Sequence, residues 1–256
     1  MPAVDESSSQ LDITPILADW EYAPNDVTVR RIQGIDDRPK IQMRLPMGLI
    51  QMEMTGRPDG ERPDGYESYL DLYEARQREN PADFTLDSDD CARLREEATM
   101  YYHRYLSLFQ LQDFPGVVRD TDRNLRCLDF LKAYADDTGD KIALEQYRPY
   151  IIMMNTRARA RLQLDRQLRG RALEETRAGI ARIESFLREI GREELIARSP
   201  ELVILRQMEA EIKELVPEAR IDDLRREMFK AIEREDYERA AQLRDEIRRI
   251  EEPPRN

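Results

Sequence analysis

The sequence predicts a mostly helical α+β protein: a small N-terminal antiparallel sheet, then a bundle of repeat-like helical hairpins, closed by one more short antiparallel hairpin. Three observations predict it. Charged residues make up 37% of the 256 and aromatics only 7%, the profile of a helix-rich chain with modest cores rather than a compact β fold. Alternation of apolar and polar residues, the mark of a half-buried strand, is clearest at residues 41–54. From Tyr66 onward apolar residues recur every three or four positions, the period of a helix with one buried face.

Residues 1–26 read as an acidic arm, with Ser7-Ser8-Ser9 in a disordered start. The first 29 residues hold six acidic residues and no Lys or Arg. The lone Trp20 is expected to anchor this arm on the body. Residues 27–65 hold the sheet and a turn-rich loop. Ile41, Met43 and Leu45 alternate with Gln42 and Arg44, and Ile50, Met52 and Met54 alternate with Gln51 and Glu53, with Pro46-Met47-Gly48 as the turn between. Val27-Thr28-Val29 is the expected third strand, ahead of Gly34 and the Asp36-Asp37 turn. One face is apolar and three strands are barely self-supporting, so a helix should cover it. The unit Arg-Pro-Asp-Gly then occurs twice, from Arg57 and from Arg62. Pro second and Gly fourth suit two tandem type I turns. Arg57, Asp59, Arg62 and Asp64 make this loop a possible binding loop, though it matches no phosphate-binding glycine motif.

Residues 66–217 read as the helical bundle. A first helix starts at Tyr66 and stops near Asn80-Pro81. Others span about Ser88 to Leu111, Pro115 to Ala135, 141–165, 168–190 and 200–215, where Pro217 follows. Helices two and three, and four and five, form pairs joined by short turns. They loosely resemble tetratricopeptide-type hairpins without the 34-residue period.

The last element, 218–252, carries the densest pattern. Leu224, Met228 and Ala231 fall on one helix face with Ile232 beside them; Ala240, Leu243, Ile247 and Ile250 fall on another. Only Glu233-Arg234-Glu235-Asp236 separates the two, which forces an antiparallel hairpin, with Asp236 as cap of its second helix. Together with Tyr237, Glu238, Ala241, Arg244 and Asp245, these residues resemble the UVR motif at the end of UvrB and inside UvrC. The resemblance covers about a tenth of the chain and implies association, because in that family the motif joins UvrB to UvrC and recurs in Clp-protease adaptors. A hairpin this short buries little apolar surface, so its stripe should rest on the rest of the chain or on a partner. Partner-binding residues are therefore expected at Leu224, Met228, Ala231, Ile232, Tyr237, Ala240, Leu243, Arg244, Asp245 and Ile247. On this expectation Leu243→Asp abolishes association and leaves helicity intact.

The formal net charge of −12 disfavours direct nucleic-acid binding. One local exception is residues 148–171, with seven Arg and one acid. There Arg157, Arg159, Arg161, Arg169 and Arg171 form a possible patch for an acidic partner or nucleic acid, with no interleaved aromatics.

Chemistry is sparse. Cys91 and Cys127 are far apart in sequence with no CxxC, so no zinc site of usual spacing and no metal or cofactor is expected. His103, the single histidine, lies mid-helix. Asp89-Asp90, Asp136-Asp137 and Asp222-Asp223 sit where helix caps and dipoles explain them. No apolar run is long enough to span a membrane, and no signal peptide is recognisable, so a cytoplasmic protein is expected. The expected function is that of a non-enzymatic adaptor docking through its C-terminal hairpin. Its partner would be UvrB or UvrC in nucleotide excision repair, a Clp-type assembly or a second copy of the chain. The alternatives are a DNA-damage accessory factor using the arginine patch, and an enzyme built on the N-terminal sheet and loop, which would need a pocket near residues 50–66.

Overall fold

The computed structural model describes residues 12–234 and 236–251; the residues outside that range include Ser7-Ser8-Ser9 and Glu235, and the side chains of Asp222, Asp223 and Ile250 also lie outside the description. The chain divides into two compact units, Met1–Ala158 and Arg159–Asn256.

The first unit opens with a one-turn helix α1 (Thr14–Leu17), then strands β1 (Val29–Gln33), β2 (Pro39–Leu45) and β3 (Gly48–Glu53) in the order β1-β2-β3, antiparallel throughout. Register pairs Ile41 with Met52 and Met43 with Ile50, so the apolar side chains meet across the strands on one face. Helix α3 packs against β2, supplying the expected cover. The first strand is Val29–Gln33 rather than 27–29. Its Arg30, Arg31 and Gln33 hid it from a search for apolar alternation, and the turn at Gly34–Arg38, with Asp37 at φ 57°, sets the register. On the other face Arg30 donates to Gln42 Oε1 (2.8 Å) and Gln42 donates to Gln51 Oε1 (2.9 Å), a polar ladder across three strands. The arm covers it: Trp20 lies 4.0 Å from the Arg30 guanidinium and its carbonyl accepts from Arg44 Nε at 2.9 Å.

Helices α2 (Tyr69–Glu79), α3 (Ser88–Gln110) and α4 (Phe114–Tyr134) follow. Ser68, Asp87 and Asp113 cap them through backbone amides three residues on. Their common core contains Leu70, Tyr73, Leu86, Cys91, Leu94, Ala98, Cys127, Phe130 and Leu131. The expected helix over 141–165 is broken into α5 (Thr138–Ile142), a 3₁₀ turn at Glu145–Tyr147 and α6 (Arg148–Asp165). Pro149 is the cause: its ring is tolerated only in a first turn, so α6 starts afresh beside it.

The second unit holds α7 (Arg169–Glu189), α8 (Pro200–Lys213), α9 (Pro217–Glu233) and α10 (Tyr237–Glu251). Helix α7 packs along α8, tied by Arg177–Glu209 (2.9 Å) and Arg206–Glu184 (2.8 Å). The end of α6 adds Ala160 and Leu164 to their core of Ala172, Leu173, Met208 and Ile212.

Two helix ends share one device. After α3 and after α6 a glutamine takes a left-handed conformation (Gln112, φ 59°; Gln167, φ 61°). In each, the following amide donates to the carbonyl five residues back: Asp113 to Leu108 (2.9 Å) and Leu168 to Gln163 (2.8 Å). The same bond closes α7 at Gly191, where Arg192 donates to Leu187 (2.8 Å).

Candidate protein-interaction site

Helices α9 and α10 lie antiparallel, with three residues between them. Asp236 Oδ1 accepts from the Arg239 amide (3.1 Å), the cap the sequence predicts, and the Asp236 amide donates to the Ala231 carbonyl (2.9 Å). Leu224, Ala231, Ala240, Leu243 and Ile247 are buried against one another, with Ile221 and Met228 half-buried at the edge. Ala231 and Ala240 bring small side chains to the turn end, so the helices approach closely there. The apolar stripe therefore packs on the opposite helix of the hairpin. Leu243, 1% exposed, belongs to the hairpin core.

What faces outward is different. Phe229 is 62% exposed, Ile232 44% and Tyr237 68%, all within a turn or two of the reversal. Phe229 and Ile232 share a flank of α9 at i, i+3, and Tyr237 is the first residue of α10. Large apolar side chains grouped on a surface mark a contact region more often than isolated ones do. Phe229 was passed over in the sequence because it sits out of phase with the stripe; that mismatch was the signal. Arg244 pairs with its neighbour Asp245 (3.1 Å), Arg248 approaches the same carboxylate (3.6 Å), and Arg239–Glu227 (3.7 Å) crosses between the helices.

The other sequence candidates fall as follows. Arg157 is half-buried, its guanidinium 4.5 Å from the Phe109 ring and donating to Met154 Sδ. Arg159 is also half-buried, and Arg169 donates to the Leu215 carbonyl at 3.3 Å; Arg161 and Arg171 are exposed. Arg157 and Arg169 are thus engaged in separate contacts. In the loop, both Arg-Pro-Asp-Gly units close as turns, Gly60 donating to Arg57 O and Gly65 to Arg62 O. The second is not type I, since Asp64 takes φ 48°. Arg57 points inward: it is buried, reaching Asp59 (3.2 Å), Glu61 (3.3 Å) and Glu97 (3.3 Å), while Arg62 reaches Glu67 and Asp64 reaches Arg76. His103 packs edge-on against Tyr102, and burial pulls its pKa down. Cys91 and Cys127 are buried free thiols, and burial pushes Cys91 up to about 11 and Cys127 upward too. No His/Cys/Asp/Glu group able to hold a metal occurs among the described residues, and no helix there is long and apolar enough to cross a membrane.

One constellation was missed from sequence: a buried ionic seam between α3 and α4. Arg104 donates to both Asp120 oxygens (2.7 and 2.9 Å) and to the carbonyls of Gly56 (2.7 Å) and Glu53 (3.2 Å). Arg119 adds bonds to Asp120 (2.8 Å) and Met54 O (2.9 Å). Glu97 accepts from Arg123 and from the Tyr69 and Leu70 amides (2.8 and 3.3 Å), capping α2 from outside its own segment. Tyr101 lies between the guanidiniums of Arg104 and Arg123, and burial pushes its hydroxyl up to about 12. The signal was present: Glu97 and Arg104 fall in phase with Leu94, Tyr101 and Leu108, and Asp120 and Asn124 with Val117, Cys127 and Leu131. Charges at core positions announce a buried network.

Against known proteins, residues 218–252 match the model of the UvrB/uvrC motif, UVR. The match assigns the C-terminal hairpin and no more of the chain. No curated protein and no solved structure matches.

Proposed function

We propose that this chain is a non-enzymatic interaction protein that docks on a protein partner through the turn end of its C-terminal hairpin. The observation that carries the reading is the UVR match over 218–252 on a hairpin that leaves Phe229, Ile232 and Tyr237 outside. Apolar anchors beside a polar rim of Arg239, Arg244 and Asp245 are the composition of a binding hot spot. The buried stripe of Leu224, Ala231, Ala240, Leu243 and Ile247 holds the hairpin, and the exposed trio meets the partner. The finer reading is an adaptor whose partner bears a similar hairpin, either UvrB or UvrC in nucleotide excision repair, or a Clp-type assembly.

The test measures binding of the full chain to purified UvrB, UvrC, a Clp-type ATPase and itself, with wild type beside Phe229→Ser and Tyr237→Ser. Binding to one of them that both substitutions weaken at unchanged helicity supports the reading. Absence of binding to all four, or binding indifferent to both substitutions, refutes it.

A further inference from the structure

The first unit contains a cleft of about 470 Å³ that the hairpin reading does not use. It opens between the foot of β2 and the Arg-Pro-Asp-Gly loop, and its walls include Arg38, Glu53, Arg57, Glu61, Arg62 and Glu67. The volume lies in the range of small-molecule sites.

Its floor is built. The Arg57 guanidinium is buried, 4.9 Å from the Tyr69 ring centroid. Its Nε faces the buried carboxylate of Glu97 at 3.3 Å without making a hydrogen bond. Its outer edge is covered by the loop itself: Asp59 reaches Nη2 at 3.2 Å and Glu61 reaches Nη1 at 3.3 Å. The Glu61 side chain is 75% exposed and has no other partner among the described residues, while its amide donates to Asp59 Oδ1 (3.0 Å). Because the Glu61 carboxylate stands in water while Arg57 is buried, the pair is worth on the order of 1 kcal/mol and a solvent-borne anion can exchange with it. The walls offer two more guanidiniums. Arg38 is exposed and its side chain makes no ion pair or hydrogen bond among the described residues, and Arg62 is held only by Glu67 at 3.7 Å. The wall carboxylate Glu53 is taken by Lys40.

We propose that this cleft binds a small oxyanion, a carboxylate or a phosphate group of a small molecule, which replaces Glu61 on the outer edge of Arg57 and is held between Arg38 and Arg62. Glu61 is then the chain's own stand-in for the ligand at Arg57 Nη1, while Asp59 and Glu97 keep the rest of the guanidinium in place. The inference is independent of the hairpin and survives its failure.

The experiment records amide shifts of Gly56 and Gly60, which line the cleft, in the ¹⁵N-labelled full chain titrated with citrate and, separately, with inorganic phosphate at constant ionic strength. Saturable shifts with one probe are expected, and which probe acts distinguishes carboxylate from phosphate. Removing the internal competitor, Glu61→Gln, should tighten binding about two- to fivefold. Arg38→Gln and Arg62→Gln, both at exposed positions that carry no core contact, should each weaken it. Equal affinity in Glu61→Gln and wild type overturns the proposal, as does the absence of saturable shifts with both probes in both proteins. Saturable shifts that neither arginine substitution alters would mark an adventitious ion only.

Discussion

Substitutions at Leu243 and Tyr237 should separate folding of the hairpin from docking, and they do so in opposite senses. Leu243 is 1% exposed in a core of five buried side chains. Leu243→Ala should cost about 2–5 kcal/mol, and Leu243→Asp more, because a carboxylate is placed among apolar groups. A hairpin of 17- and 15-residue helices has no such margin, so its helices melt and roughly a fifth of the helical circular-dichroism signal is lost. Tyr237, by contrast, leaves 68% of its surface in solvent. Tyr237→Ser should leave the signal unchanged and shift stability by less than about 0.5 kcal/mol. If docking covers on the order of 100 Å² of that ring, its loss weakens binding by about 2.5 kcal/mol, close to 70-fold in Kd. Circular dichroism and calorimetric titration against the bound partner read both quantities. A Leu243→Asp protein that keeps full helicity while losing the partner would refute the internal packing. A Tyr237→Ser protein that binds as wild type would remove Tyr237 from the interface.

Other outcomes follow from the first unit. Asp120→Asn leaves Arg104 a buried charge with only carbonyl and amide partners, and should cost about 3 kcal/mol, seen as a lower urea midpoint. Cys91 and Cys127, buried and with raised pKa, should not react with a thiol reagent at pH 8 until the protein is unfolded, when both react. Tyr73 is pushed up to about 12 by burial and by its bond to Asp90, so its neutral form is favoured in the fold. That contribution is complete below pH 10 and is lost as pH rises from 10 toward 12, which a urea series across that range should record and Tyr73→Phe should lessen, the buried Tyr101 keeping the remainder. Replacing Gln112 or Gln167 with glycine relieves a left-handed side-chain conformation and should raise the unfolding midpoint, by about 0.5–1 kcal/mol at each site.

The fold was legible where apolar period and punctuation agreed. Pro115 beside the Asp113 cap, the alternation at Ile41–Leu45 and the stripe through Leu224 and Leu243 all marked their elements. It was less legible where polar residues do structural work. The first strand carries Arg30, Arg31 and Gln33; Arg30 meets a glutamine ladder and Trp20, Arg31 meets Asp113 and Gln33 the Asp37 carbonyl, none visible to a hydropathy pattern. The site divided in the same way. Which residues make the hairpin could be read from periodicity, but not which of them face out, because the inner stripes of two helices can satisfy each other and a single chain pattern does not say so. Arg57 shows the converse. A loop arginine between Gly and Pro suggests exposure, and only the distant Glu97 makes it an interior residue.

The internal closure of the hairpin also has a kinetic consequence. A partner-binding segment that must fold as it binds bears an ordering cost at each encounter. Here the stripe is already packed within the hairpin, so on the proposed docking little ordering is left to accompany binding. Docking then becomes a rigid-body event, with an association rate near the ordinary ~10⁵–10⁷ M⁻¹s⁻¹ and differences among partners expressed in how quickly each is released.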